Sequence, residues 1–227
     1  MTTIDNGLKA RIKGGAIFAA VVLAGLYLGG IYFALLMLFA AFVGVNEWGR
    51  MVIDDVRWRV PLMLLGMVYI GLSCAVMIWL RNDTAHGFYH MLTLLCIIWA
   101  SDVSAYFSGR AIGGPKLAPA ISPKKTWAGF WGSSIGAGIV AAILASPFVL
   151  NTFGVATIGG LSWMGYGLMG FVLAMFGQAG DLSISIIKRR YGVKDTGAII
   201  PGHGGVLDRI DALLLVALIF GALAAFL

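Results

Sequence analysis

Seven stretches of this chain are long and apolar, and short segments rich in glycine, proline and charge separate them. An α-helix needs about 20 apolar residues to cross a hydrocarbon layer of about 30 Å. On that measure the pattern predicts spans near residues 14–29, 31–48, 60–80, 86–106, 127–149, 157–178 and 208–226. Gly29-Gly30 predicts a tight hairpin between the first two; without that turn, the same stretch reads as one tilted span plus a re-entrant piece. Basic residues precede the first span with no small-residue cleavage site, so it reads as an uncleaved helix.

Composition agrees with the pattern: 60% of the residues are hydrophobic and 11% are charged, outside the range of soluble domains. The expected fold class is all-α, a polytopic membrane bundle of about seven transmembrane helices. No heptad run, repeat or low-complexity linker divides it, so residues 1–227 read as one domain. Cys74 and Cys96 lie in apolar spans without CxxC spacing and read as packing residues. His86 and His90 have no evident partner and read as interfacial.

Charge sets the orientation. With seven spans and a cytoplasmic N-terminus, 15 of the 16 Lys and Arg fall on the cytoplasmic side and only Arg81 falls outside, as the positive-inside rule requires. The net charge of +6 is then gathered on one face, which suits anionic lipid headgroups and phosphates. Nucleic acid is not an expected partner, because no soluble basic domain exists to hold it.

Two cytoplasmic loops carry the polar chemistry. In "SGRAIGGPKLAPAISPKKTWAGFWG", residues 108–132, glycines and prolines predict an irregular segment. Ser122, Lys124, Lys125 and Thr126 gather there just before a helix start, whose free N–H groups and positive dipole end would favour phosphate; a positive-inside anchor is the alternative. In "GQAGDLSISIIKRRYGVKDTGAIIPGHGGVLDRIDA", residues 177–212, a sixth helix continuing past the membrane would place Asp181, Ser185 and Lys188 on one face. Beyond a glycine-rich break, Asp208 and Asp211 stand on the first turn of the last span. A carboxylate at such a place needs a cation or a polar cavity. Asp181 and Asp208 fit Mg2+, which takes one or two protein carboxylates and completes its shell with water and phosphate. Lys188, Arg189, Lys194 and Arg209 would neutralise those phosphates; helix capping or pairing with Arg189 and Arg209 is the alternative for the aspartates. Asp102, in "WASDVSAY", is an intramembrane carboxylate and a functional candidate, with hydrogen bonding between helices as its other reading.

The segment "SIIKRRYGVKDTGAIIPGHGGVLDRID", residues 185–211, resembles the signature of the phosphatidate cytidylyltransferase (CDP-diglyceride synthetase) family, and "WASDVSAYFSGR" and "LAPAISPKKTW" resemble its other motifs in the expected order. The resemblance covers residues 86–227, the motif-bearing part; residues 1–85 match only in being hydrophobic. It implies transfer of CMP from CTP to phosphatidate, giving CDP-diacylglycerol and pyrophosphate, with Mg2+, with or without a second cation. It implies Asp181 and Asp208 on metal and Ser122, Lys124, Lys125, Thr126, Ser185, Lys188 and Arg189 around the phosphates, with a homodimer in a bacterial cytoplasmic membrane. Ala128 and Ile184 stand where the family often has acidic residues, so further acidic help falls to Asp102, Asp195, Asp211 or water. His203 reads as a hydrogen-bonding loop residue rather than a general base, since the phosphatidate nucleophile is already ionised. Two competing classes are a cation-coupled transporter and a membrane lipid kinase.

Overall fold

The computed structural model describes residues 2–199 and 204–227, with side chains from Lys13 onward. The described residues form α1 (Thr2–Leu28), α2 (Gly30–Val52), α3 (Arg59–Asn82), α4 (Gly87–Ala111), α5 (Trp127–Leu144), α6 (Pro147–Phe153), α7 (Trp163–Arg190) and α8 (Leu207–Phe226). Between α4 and α5 lies a hairpin of β1 (Lys116–Ala118) and β2 (Ser122–Thr126), and a 3-10 turn, Ile158–Gly160, precedes α7. Six helices, α2, α3, α4, α5, α7 and α8, are long and apolar enough to cross a membrane, and Lys13–Leu28 of α1 is a shorter apolar helix. The all-α polytopic class is therefore observed, with six span-length helices among the described residues and a shorter apolar helix where the first of about seven spans was expected.

The turn between α1 and α2 is sharp because Gly29 and Gly30 both take positive φ, 62° and 49°, which L side chains resist. Gly25 then packs against Leu36, two positions that would stand about 16 Å apart along a continuous helix. Arg81, at the end of α3, secures the turn by donating from Nε to the Leu26 carbonyl at 2.7 Å and from Nη2 to that of Tyr27 at 3.2 Å. Asn82 both accepts from Gly30 N and donates to Gly30 O. The one basic side chain placed outside by the charge count is thus used as a helix cap.

Two boundaries differ from expectation. The fifth span ends at Leu144 and the sixth helix starts at Trp163 rather than 157. Ser146 caps a short α6 with Pro147 in its first turn, Gly154 closes it in the left-handed region, and Ser162 caps α7 through Gly165 N. The loop over 108–132, expected to be irregular, contains the antiparallel hairpin in the register Lys116↔Thr126 and Ala118↔Ser122. The prolines exclude helix as expected, but Pro119 follows Ala118 in the turn closed by Ile121 N on Ala118 O at 3.1 Å, a position where its fixed φ helps. Pro123 is tolerated because both strands of a two-stranded sheet are edges.

His90 is a further correction. Expected to have no evident partner, it is buried near the start of α4, with ring nitrogens 3.4 Å from Thr84 Oγ1 and 3.4 Å from the Ala156 carbonyl.

In lipid, helices gain little by hiding apolar surface from one another, so close packing through small residues decides which pairs meet. α4 packs most extensively on α5, and α5 on α7. At the first interface Gly132 faces Ser108 and Gly136 faces Ser104, and a methyl group on either glycine would overlap the facing Ser Cβ. At the second, Gly138 and Gly167 approach one another's carbonyls, and Gly170 lies against Ala141. Gly177 and Gly180 carry the contact on to α8, where a Cβ at Gly180 would come within 3.0 Å of the Asp211 carbonyl. Rotation of a serine hydroxyl cannot relieve an overlap with its own Cβ. Gly132→Ala combined with Gly136→Ala should therefore cost about 1–3 kcal/mol, read as a lower midpoint of thermal unfolding in detergent micelles, whereas Gly71→Ala, in open space, should leave that midpoint in place.

Candidate active site

One end of the bundle collects the start of α8, the end of α7, the end of α4 and the hairpin. α7 continues to Arg190, as the sequence predicts, and Asp181, Ser185 and Lys188 share a face of it. Ser185 donates to Asp181 Oδ1 at 3.2 Å. Lys125, from β2, forms an ion pair with Asp181, its ammonium 2.5 Å from Oδ2.

Lys188 is buried and donates to Asp208 Oδ1 at 2.8 Å. The other oxygen of Asp208 accepts from Thr196 N at 2.8 Å, from Gly205 N at 3.0 Å and from the Thr196 hydroxyl at 3.1 Å. The loop between α7 and α8 is thus folded around the Asp208 carboxylate. The loop is also tied to the α2–α3 connection: Tyr191 donates its hydroxyl to Asp55 Oδ2 at 2.7 Å. That hydrogen bond, with a second from Trp58 N, holds the Asp55 carboxyl below its ordinary range.

Two cavities open side by side at this end. The first, about 290 Å³, is lined by five carboxylates, Asp102, Asp181, Asp195, Asp208 and Asp211, with Lys188, Arg209 and Gln178. The second, about 400 Å³, is lined by Arg110, Lys124, Lys125 and Thr126, with Tyr106, Phe130 and small residues of α4 and α5. Asp102, Gln178 and Asp181 line both. An acid-rich compartment therefore adjoins a basic and partly apolar one, and the shared wall carries two carboxylates.

Asp102, Lys124, Lys125, Asp181, Lys188, Asp195, Asp208, Arg209 and Asp211 are all brought to this pair of cavities. Thr126 lines the second cavity, but its hydroxyl accepts from Gly129 N at 3.1 Å and so caps α5. Other sequence-predicted residues lie elsewhere. Arg189 donates to the carbonyls of Ile121 and Val193 at 3.1 and 3.2 Å, bracing the hairpin against the end of α7. Ser122 is in the hairpin pairing, Ser185 stands behind Asp181, and Lys194 is exposed on the loop. His203 lies outside the described residues. Of the two positions lacking the family's acids, Ile184 is packed in the apolar core at 1% exposure.

Four residues at this end escaped the sequence reading: Arg110, Gln178, Thr196 and Glu47. Arg110 and Gln178 stood inside motifs already noted. Glu47 had no local signal except being an acid within an apolar run. It is 2% exposed and accepts from Val206 N at 3.0 Å and Leu207 N at 2.8 Å, the free N–H groups at the start of α8.

Among the described residues, no three His, Cys, Asp or Glu side chains converge as a ready-made metal cage. A cation here would take one or two carboxylates and fill its remaining places with water or substrate oxygens, which is the habit of Mg2+.

The chain can be compared with known proteins on this footing. It is 44% identical over 163 residues to a phosphatidate cytidylyltransferase of Brucella abortus biovar 1 (strain 9-941), covering 70% of this chain and 57% of that protein. The chain thus spans little more than half the length of that relative. It is 34% identical over 214 residues to the phosphatidate cytidylyltransferase of Rickettsia bellii (strain RML369-C), covering 93% of this chain and 88% of the relative. With that of Rickettsia felis (strain URRWXCal2) it shares 36% identity over 212 residues, 93% of this chain and 90% of the relative. A profile of the cytidylyltransferase family matches residues 54–227, a stretch that includes α3 to α8 and both cavities, and the chain belongs to that family.

Proposed function

We propose that this chain transfers the cytidylyl group of CTP to phosphatidate, forming CDP-diacylglycerol and releasing pyrophosphate. The observation that carries the reading is the junction of an acid-rich cavity with a basic, partly apolar one across Asp102 and Asp181. Such a pair suits a nucleoside triphosphate with its cation meeting the headgroup of a lipid. The names of the relatives supply the same substrates. The positive-inside count supports a cytoplasmic site, where CTP enters from water and phosphatidate from the adjoining leaflet. A bacterial cytoplasmic membrane and a homodimer belong to the same reading through the family resemblance.

In the reaction an oxygen of the phosphatidate phosphate bonds to the α-phosphorus of CTP as the bond from that phosphorus to the bridging oxygen of pyrophosphate breaks. The attacking phosphate is already ionised near neutral pH, so the site must bring two anions together rather than generate a nucleophile. Lys124, Lys125 and Arg110, in the basic cavity, are the groups for that work. Lys125 has a second task, since its ammonium also compensates Asp181.

The donor set fits Mg2+. Among the described residues, Asp208 Oδ1 accepts one hydrogen bond and the Asp181 oxygens meet only Ser185 and Lys125, so each carboxylate keeps lone pairs for a cation. Asp181 and Asp208 would hold the ion, which when bound would neutralise triphosphate charge and stabilise the departing pyrophosphate. Asp102, Asp195 and Asp211 add to the negative field of the cavity.

CTP labelled separately at its α- and γ-phosphates, given to purified protein with phosphatidate and Mg2+ in mixed micelles, tests the reaction. Alpha label should enter lipid with pyrophosphate released; γ label in lipid would show a kinase, and neither label in folded protein would restore a transporter. Asp208→Asn should lower turnover by roughly 100-fold, and a variant with normal turnover at low Mg2+ would remove Asp208 from the cation site. Lys124→Ala should raise the KM for CTP by about 10-fold, the loss of one charge-assisted hydrogen bond, with Mg2+ dependence little changed.

A further inference from the structure

Glu47 belongs to α2 and precedes residues 54–227, the part matched by the family, yet its carboxylate ends beside Asp208. Its Oε1 accepts from Val206 N and its Oε2 from Leu207 N and from the Thr196 hydroxyl, the last at 3.0 Å. The same hydroxyl lies 3.1 Å from Asp208 Oδ2. Thr196 has a single hydroxyl proton, so the two carboxylates are joined through one shared donor. The fit is close: a methyl group on Gly197 or Gly205 would overlap the Glu47 carboxylate.

Among the described residues, four backbone donors at this end are divided between the two acids. Glu47 takes the N–H groups of Val206 and Leu207; Asp208 takes those of Gly205 and Thr196. If Glu47 were absent, two free donors at the positive end of the α8 dipole would stand next to Asp208 and attract its carboxylate. Asp208 oxygens would then be drawn to the backbone and away from the cavity. We infer that Glu47 is a positioning residue that, together with Thr196, holds Asp208 in the orientation in which Oδ2 is committed to the loop donors and Oδ1 is left to Lys188 and to a cation in the cavity that Lys188 and Asp208 both line. The inference rests on the reading of Asp208 as a cation ligand.

Substitution by Gln tests the charge and the double acceptor at once. The amide offers one oxygen where Glu47 uses two, so in either orientation an NH2 group meets a backbone N–H. Thr196→Val removes the shared hydroxyl at similar volume, and Thr196→Ser keeps it. Two readouts apply to the chain of residues 1–227 in micelles: the Mg2+ concentration giving half of the Mg2+-induced rise in Tm without substrate, and that giving half-maximal turnover.

Glu47→Gln and Thr196→Val should each move both midpoints to about 10-fold higher Mg2+, the scale of outer-sphere effects on metal sites, and Thr196→Ser should stay near the parent. Because both variants act through one hydroxyl, the double variant should shift less than the product of the two. A merely structural Glu47 would lower Tm and leave the midpoints unchanged in the folded fraction, and parental midpoints in both variants would overturn the inference. If Glu47→Gln does not fold, Thr196→Val against Thr196→Ser decides. Asp208→Asn separates the two ideas. A Mg2+ response absent from the parent or retained in Asp208→Asn would overturn the reading of Asp208 itself, whereas its loss in Asp208→Asn with parental midpoints for Glu47 and Thr196 variants would overturn only the positioning role.

Discussion

A carboxylate at the mouth of a membrane helix is costly unless donors or cations surround it, and the polar end of this protein is organised around meeting that condition for Asp208. The demand reaches far along the chain. Lys188 can answer it only because α7 runs on to Arg190, well past the apolar part of its span. Thr196 and Gly205 answer it only because the loop between α7 and α8 folds back on the first turn of α8. The head of α8 is in turn satisfied by Glu47 from α2, so helices distant in sequence are fixed to one point.

Close approach of backbones sets where the cavity walls stand. Gly180 lets α7 come near enough to α8 to put Asp181 in the same cavity as Asp208 and Asp211. The glycine and serine seam between α4 and α5 fixes Asp102 and Arg110 against the start of α5, where the hairpin delivers Lys124 and Lys125. Charge of one sign thus comes chiefly from α4, α7 and α8, and charge of the other from the hairpin and the end of α4. Lys125 crosses between them by pairing with Asp181.

Much of this was legible in the chain. Hydropathy located the crossings, the two glycines located the first turn, and helical spacing placed Asp181, Ser185 and Lys188 on a single face. That geometry also explains why Arg189 departs from its neighbour: one step along a helix turns a side chain by about 100°, so when Lys188 faces Asp208, Arg189 faces the hairpin. The hairpin itself escaped because two short strands around a proline turn have too few alternating residues to show a period of two. Glu47 escaped because its partners lie about 150 positions away and a lone acid in an apolar helix has no spacing to read. Helix starts and faces are local properties; the partner of a buried charge is not.

On the proposed reading, the cation and the triphosphate meet in the cavity between Asp181 and Asp208. An experimental structure of the protein with Mn2+ in place of Mg2+ and a non-hydrolysable CTP analogue, with the metal located by anomalous scattering, tests it most directly. An anomalous peak is expected in the cavity, bonded to carboxylate oxygens of Asp181 and Asp208, with the triphosphate extending toward Lys124 and Lys125. A peak at other side chains, or an ordered triphosphate bound away from this end of the bundle, would contradict it.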